Sequence, residues 1–534
     1  MSRRVSADPA SAVTTTSTRT TDPGQGDPGL ADRFPDLRRP DEPADIVDWS
    51  AAELSVAIDR RLVSCVEVMT AYLDRIDLVN PRVNAIVALR PRADLLREAA
   101  EKDEMLAAGQ RQGWMHGFPH AVKDMADVKG IPTSLGFFRP PFAAAPATAD
   151  SVFVDRLRAA GCIFVGKTNN SEFGLGSHSY NEVYGTTVNA YDQRTSAGGS
   201  SGGAAVAVAL HMVPVADGSD FFGSLRNPPG WNNVYGLRPS FGRVPGAGAE
   251  VFLQQGGTEG PIARNPLDLT LLLRTMSGPD RRAPLSLEQP LPPVPGPESA
   301  SLRGLRIAWL GDLGGYLPMD PEVLAVCTAA VDRMRAQGAE VVTVDDLPAR
   351  GPFVGNHSLW PTWLIFRHWQ IAGRLMPLYE NPALRPAMKP EAVYEIEGVL
   401  GGTDGNAGIT AMDVWDGSFA RSAMYQAFQD FFDSYDYALL PTAQIFPFEA
   451  TIAWPKEIQG VEMSSYHRWM EVTAVGTLIG APTAAVPAGF SAGGLPIGLQ
   501  VMGRHHDDAG VLSFCAAWHA SNSEVESRRP PLLG

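Results

Sequence analysis

Residues 198–203 read Gly198-Gly199-Ser200-Ser201-Gly202-Gly203 and run into AAVAVAL; residues 213–226 read VPVADGSDFFGSLR. The first stretch is a glycine- and serine-rich turn opening a small apolar helix. Glycines allow tight or positive-φ turns, and a helix that starts after them aims its free N–H groups back at the serines. The second stretch begins as a strand, Val213-Pro214-Val215, and turns through Gly218 to Arg226. A serine ending such a turn lies among backbone amides that can form an oxyanion hole. Upstream, His116-Gly117-Phe118-Pro119 leads to Ala121-Val122-Lys123-Asp124. A lysine in apolar surroundings loses its charge readily and is a candidate base.

Around these stretches the chain alternates strand and helix signals. Ser50 with Glu53 and Ser64 with Glu67 fit the S-x-x-E capping box. The second box predicts a helix with Val66, Met69, Tyr72, Leu73 and Ile76 on one face, stopped by Pro81. Asp150 is placed to cap a helix through Leu157 that ends at Gly161, and Cys162 to Val165 reads as a buried strand. Leu305–Leu310, a helix from Asp320-Pro321 to Gly338, and Val341–Val344 repeat that grammar. Continuous apolar strands between helices predict an α/β fold with a covered sheet. Residues 1 to about 40 are rich in Ser, Thr, Asp, Pro and Gly and read as a disordered tail, with one domain over 41–534. Residues 283–300 are Pro-rich and read as an exposed connection. Phe353, Trp360, Trp363, Phe366 and Trp369 concentrate large rings between residues 353 and 369. They fit either core packing or one wall of an apolar substrate pocket.

The bulk numbers remove several function classes. With 44 basic against 59 acidic residues the net charge is −15, the opposite of a nucleic-acid-binding balance. No apolar run approaches the roughly 18 to 20 residues that span a bilayer, and Ser2-Arg3-Arg4 lacks the apolar segment of an export signal. Cys65, Cys162, Cys327 and Cys515 are too few and too far apart for a disulfide framework or a CxxC motif, which points to the cytoplasm. Gly161-x-x-x-x-Gly166-Lys167-Thr168 matches a P-loop literally. The four intervening residues are themselves the strand, so no phosphate cradle forms. A G-x-S-x-G elbow around Ser200 or Ser201 would need a later acid and histidine. His467, His505 and His506 are available, but no motif favours one.

In order and spacing, V-K-D at Lys123, the G-G-S-S-G-G run and the G-x-D-x-x-G-S-x-R run resemble the amidase signature family. In that family the first serine of the double-serine run is the middle member of a triad, and the nucleophile lies 24 residues on, as Ser224 does from Ser200. ADSVFVDRLRAAGCIFVGKTNNSEFG, GTTVNAYDQRTSAGGSSGG, YALLPT and IGAPTAAVPAGFSAGGLPIGLQVMGR are also family-like, so the match runs from about residue 45 to the C-terminus. The resemblance implies a single α/β domain with a mixed, twisted central sheet surrounded by helices. It places the signature core at about 80–265 and a substrate-pocket segment at about 350–430.

By resemblance, Lys123, Ser200 and Ser224 are catalytic, with a cis peptide at Gly199-Ser200. The N–H groups of Phe221, Phe222, Gly223 and Ser224 form the oxyanion hole. Lys167 and Asp220 support the triad by hydrogen bonding, and Arg226 braces the loop. Gly174 and Gly176 line the pocket. No metal or organic cofactor is implied. The chain departs from the family at Phe221-Phe222, where relatives carry a small residue and a glycine. At least one of these rings is expected to border the acyl pocket and favour apolar or flat substrates.

The implied activity is hydrolysis of hydrophobic or aryl amides. Carbamate and nylon-oligomer hydrolysis need the same nucleophile and oxyanion hole. A glutaminase subunit of a tRNA-dependent amidotransferase and a membrane-associated lipid-amide hydrolase are further relatives. The aromatic positions disfavour the first, and the absence of an amphipathic or spanning anchor disfavours the second. The expected partner is a small amide or carbamate, without nucleic acid or membrane; many relatives are homodimers.

Overall fold

Strands buried on both faces organise the chain. The structure, a computed structural model, describes residues 29–137, 145–248, 250–253, 255–291, 300–345, 358–401 and 407–534. β1 (Ile86–Val87), β2 (Pro119–Lys123) and β3 (Ile163–Thr168) form a small sheet in the order β1-β3-β2. β3 pairs antiparallel with β1 and parallel with β2. The main sheet contains β4 (Ala216–Asp220), β5 (Tyr235–Arg238), β6 (Thr258–Ala263), β7 (Arg306–Trp309), β8 (Glu340–Thr343), β9 (Tyr437–Pro441), β10 (Thr483–Phe490) and β11 (Pro496–Met502). Its order is β8-β7-β9-β11-β10-β5-β6-β4. The pairs β8–β7 and β7–β9 are parallel and the remainder antiparallel, so the sheet is mixed, within a single α/β domain. Every residue of β2, β3 and β9 is buried, as expected where helices cover both faces.

The two sheets are joined where the site forms. Asp217 on β4 accepts the backbone N–H of Lys123 at the end of β2 (3.2 Å) and a bond from His120 Nε2 (3.0 Å). Both strands therefore deliver their C-terminal ends to one place. Gly166, Lys167 and Thr168 lie inside β3, which leaves no loop for a phosphate.

The helical boundaries follow their caps, with corrections. Both capping boxes form, at Ser50 and at Ser64, opening α1 (Ala51–Asp59) and α2 (Cys65–Val83). Met69, Tyr72, Leu73 and Ile76 of α2 are buried. α2 continues two residues past Pro81, because a proline in the last turn removes a single donor and Asn84, at φ 53°, closes the helix. In α3 (Val152–Ala159) the N-cap position falls on Ser151, without a side-chain capping bond, and not on Asp150, whose carboxylate takes the Lys129 N–H and Arg158. Residues 29–40 are not a free tail. Leu30 is buried, and Arg60 donates to the carbonyls of Phe34 (2.6 Å) and Ala31 (2.8 Å). Residues 1–28 lie outside the described residues. The Pro-rich connection also begins inside the body. Ala283 is buried and the Leu287 N–H donates to Gly242 O (2.9 Å), while 292–299 lie outside the described residues.

The glycine-rich run opens α4 (Gly202–Ala209), every residue of which is buried. The aromatic segment forms α5 (Leu359–Tyr379), which packs against α6 (Pro390–Leu400). Trp360, Trp363 and Phe366 are buried and Trp369 half-buried; Phe353 lies outside the described residues. Among the described residues, no helix is long and apolar enough to cross a membrane.

Gly203 sets how close α4 comes to the small sheet. Its N–H donates to Asn169 O (3.1 Å), and a Cβ there would sit 2.5 Å from Asn169 N and 2.6 Å from Ala85 O. Those neighbours are backbone and cannot swing aside. Gly203→Ala is expected to cost about 1–3 kcal/mol, read as a lowered Tm. Because Ser200 and Ser201 hang from the same turn, activity should fall with it.

Candidate active site

Lys123 is the last residue of β2, and its side chain is buried beneath the α4 turn. Its Nζ lies 2.8 Å from Ser200 Oγ, and Ser200 Oγ lies 3.1 Å from Ser224 Oγ. The three side chains nominated from the sequence thus form one continuous hydrogen-bonded chain. The Gly199-Ser200 peptide is cis. Ser201 Oγ (2.9 Å), Ser219 Oγ (2.9 Å) and Ser219 O (3.3 Å) complete the surroundings of Nζ. Sequence reading missed these last two serines, although both stand inside the quoted motifs.

Burial governs the charge on Lys123. Desolvation pushes its pKa down to about 7, against the opposing pull of Asp217, Asp220 and Glu259. An amine with a pKa of about 7 is neutral in a substantial fraction near pH 7 and can then accept a proton from a hydroxyl, whereas an ordinary surface lysine stays charged.

Asp220 ties down the loop that carries Ser224. Its carboxylate accepts Arg226 Nε and Nη2 (both 3.0 Å), Arg238 Nη1 (3.2 Å), and the N–H groups of Gly223 (2.8 Å) and Leu225 (3.0 Å). Burial alone would raise its pKa. The two guanidinium groups and the hydrogen bonds outweigh this and hold the carboxyl well below the usual range. Arg226 is fully buried and also reaches Thr473 O, Gln500 Oε1 and Thr477 Oγ1 (2.8 Å each), which ties the loop to the segment 473–477 and to β11.

The same carboxylate corrects one assignment. The Gly223 N–H points at Asp220, so it is taken out of the expected set of oxyanion donors. The amides of Phe221, Phe222 and Ser224 donate to no described residue and remain available. Gly223 adopts φ +90°, which glycine reaches without strain, and a Cβ there would meet Thr473 at 2.8 Å.

The two phenylalanines separate in role. Phe222 is buried and stacks on Trp363 at 3.9 Å with 13° between the rings. Trp360 and His467 lie edge-on to it or tilted at 6.3 and 6.0 Å. Its ring is therefore a buttress, locking the loop to α5, and not an open pocket wall. Phe221 is half-buried, under the Arg367 guanidinium at 4.9 Å. Arg367 belongs to a buried cluster that sequence reading also missed. Glu395 on α6 accepts Arg367 Nε (2.9 Å), His368 Nδ1 (2.7 Å) and the Tyr466 hydroxyl. The cluster fixes α6 to α5 beside the site.

The remaining candidates fall close to the site or behind it. Gly174 adjoins it: a Cβ there would be 3.6 Å from Ser200 Oγ and 2.8 Å from the Met125 methyl. A Cβ at Gly176 would meet the Tyr466 ring at 3.6 Å. Lys167 does not bond to the triad. It turns to Ala126 O (2.5 Å) and Thr133 Oγ1 (3.0 Å), securing the segment that follows Lys123. Among the described residues no histidine hydrogen-bonds to Ser200, Ser201 or Ser224, so the nucleophile-elbow alternative has no base.

Asp220→Asn removes the anion from between two buried guanidinium groups. Breaking a buried pair this way typically costs about 3–5 kcal/mol, so a clear fall in Tm is expected together with loss of activity. Because the native carboxyl is held far below an unfolded aspartate, the wild-type contribution is present at neutral pH and is lost only as pH falls below about 4. A Tm series against pH for the two proteins checks both points.

The chain is similar to known proteins over most of its length. The Amidase family model matches residues 67–357 and 403–512. An acylamidase of Rhodococcus erythropolis is 34% identical over 88% of this chain and 95% of its own. A glutamyl-tRNA(Gln) amidotransferase component of Salinispora arenicola is 32% identical over 92% of this chain and 100% of its own. Among solved structures, a bacterial aryl acylamidase of the amidase signature family superposes with a TM-score of 0.80 at 28% identity, covering 90% of this chain and 98% of that one. The chain belongs to the amidase signature family and is an enzyme of amide hydrolysis.

Proposed function

We propose that the protein hydrolyses hydrophobic or aryl amides through Ser224, Ser200 and Lys123. The observation that carries this reading is the unbroken path from Lys123 Nζ through Ser200 Oγ to Ser224 Oγ, at 2.8 and 3.1 Å, ending on a lysine that burial brings to about 7. Neutral Lys123 takes the Ser200 proton while Ser200 takes the Ser224 proton, and Ser224 Oγ attacks the amide carbon. The oxyanion is held by amides of Phe221, Phe222 and Ser224, each worth about 100- to 1,000-fold in rate. The proton returns through Ser200 to the leaving nitrogen, the C–N bond breaks, and an acyl-enzyme forms on Ser224. Water, deprotonated along the same path, releases the acid and restores Ser224.

The 34% identity to an acylamidase over most of both chains supports amide substrates. The aromatic surroundings, Phe221 over Arg367 and Phe222 on Trp363, support hydrophobic ones. Gly174 keeps the backbone close to Ser200, with the flexible Met125 side chain in the space that a Cβ would take, which supports its place in the pocket wall. Four free, buried cysteines support a reducing compartment, the cytoplasm.

A screen of purified protein on p-nitroanilides, aryl amides, primary amides and aryl carbamates tests the reading. Aryl amides should lead, and Ser224→Ala and Lys123→Ala should each lower kcat by about 10⁴-fold or more. A lead for carbamates would make the enzyme a urethanase with the same triad. Turnover appearing only with partner subunits, tRNA and ATP would place it with the amidotransferase relatives instead. Because only neutral Lys123 is a base, kcat/KM should rise with pH through about 7 and level off above it.

A further inference from the structure

Three hydroxyl groups compete for the lone pair of Lys123, and only one of them leads to Ser224. A neutral amine has two N–H donors and one lone pair. For the lone pair to face Ser200, both N–H groups must end on other oxygens, and the protons of those oxygens must point elsewhere. Ser201 meets this condition by itself. Its hydroxyl donates to Ser219 O (3.2 Å) and accepts the Ser219 N–H (3.3 Å), which leaves a lone pair for one lysine N–H. The second lysine N–H has Ser219 Oγ at 2.9 Å, nearer than Ser219 O at 3.3 Å, which already accepts the Ser201 hydroxyl. That oxygen accepts only if its own proton is drawn away from the lysine. Its nearest protein acceptor among the described residues is Met125 Sδ at 3.8 Å, a weak one.

A better acceptor stands across the sheet. Ser219 on β4 and Glu259 on β6 are directly paired in antiparallel register, so their side chains share one face. Both line a cavity of about 270 Å³ that also reaches Lys123, Asp217, Phe221, Glu250 and Arg374. A water occupies about 30 Å³ of liquid, so the cavity has room for several beside these polar walls. Burial raises the Glu259 carboxyl above its ordinary range, with Arg374 and Lys123 pulling it back.

We propose that Glu259 is a positioning residue for hydrolysis: it draws the Ser219 hydroxyl proton into this cavity, directly or through water, so that Ser219 and Ser201 hold both lysine N–H groups and the lysine lone pair faces Ser200. The proposal rests on Lys123 being the base. The anions facing Lys123 are Asp217 and Asp220 from β4 and Glu259 from β6, and Arg374 of α5 and Glu250 also line the cavity; α4 contributes no titratable group. Asp217 and Asp220 are already engaged by His120 and by the two arginines; Glu259 takes its own backbone N–H and the field of Arg374, and it alone of the three is on the strand facing Ser219.

The test is the pH profile of kcat and kcat/KM for Ser219→Ala, Glu259→Leu, the double variant and Glu259→Gln, beside Lys123→Ala. On the alkaline plateau, Ser219→Ala and Glu259→Leu should each lower kcat about 10- to 100-fold, the scale of supporting-residue effects, with KM within about twofold. The double variant should lose no more than the worse single one, because both break the same relay. Glu259→Gln, which keeps volume and an acceptor oxygen, should recover most of kcat. It should also move the acid limb of kcat/KM to lower pH, since an anion beside the ammonium is gone. Wild-type kcat in Ser219→Ala or Glu259→Leu overturns the relay, as do losses that multiply in the double variant. If the leucine variant fails to fold, the Ser219→Ala kcat and the Glu259→Gln limb decide the matter. Activity surviving Lys123→Ala would overturn the parent reading instead.

Discussion

Burying Lys123 is the constraint from which the rest of the site follows. A charged ammonium excluded from water is costly, and the chain meets that cost by letting the amine run neutral near pH 7. Asp217, Asp220 and Glu259 favour the charged form enough to keep the pKa from falling further. In the proposed reaction the lysine thus serves as a base matched to neutral pH without a histidine. The architecture serves this one placement. Asp217 pins the end of β2 to β4, and α4 is held against the small sheet by a glycine that admits backbone contact.

A second rigid element holds the turn that carries Ser224. Asp220 gathers Arg226, Arg238 and two loop amides, so the Ser224 turn hangs from a fully buried ionic knot. That knot also selects which amides stay open, since the Gly223 N–H is consumed internally. On the outer side, the Phe222–Trp363 stack couples the turn to α5, whose partner α6 is held by the Arg367–Glu395 pair. The Ser224 turn and the α5–α6 pair are therefore mechanically joined through stacked and tilted aromatic contacts.

Much of this was legible in the sequence, for identifiable reasons. Lys123, Ser200 and Ser224 stood out because turn glycines and fixed spacing are local features, and capping boxes placed α1 and α2 for the same reason. What escaped reading depends on register and tertiary approach. Ser201 and Ser219 are unremarkable until α4 and β4 bring their hydroxyls to the lysine. The loss of the Gly223 donor depends on where the Asp220 carboxylate turns. Arg367 and Glu395 resemble surface charges on amphipathic helices, and only helix packing makes them a buried pair. Residues 29–40 read as tail by composition, yet Leu30 and the carbonyls of Ala31 and Phe34 find partners on the body.

The central claim is that Ser224, and not its neighbours, carries the acyl group. Turnover of an activated aryl amide or carbamate can be quenched in acid within the burst phase and the adduct located by peptide mass spectrometry. The account predicts acylation of Ser224 alone, absent in Lys123→Ala. An adduct on Ser200 or Ser201, or rapid turnover with no covalent adduct on any serine, would contradict it.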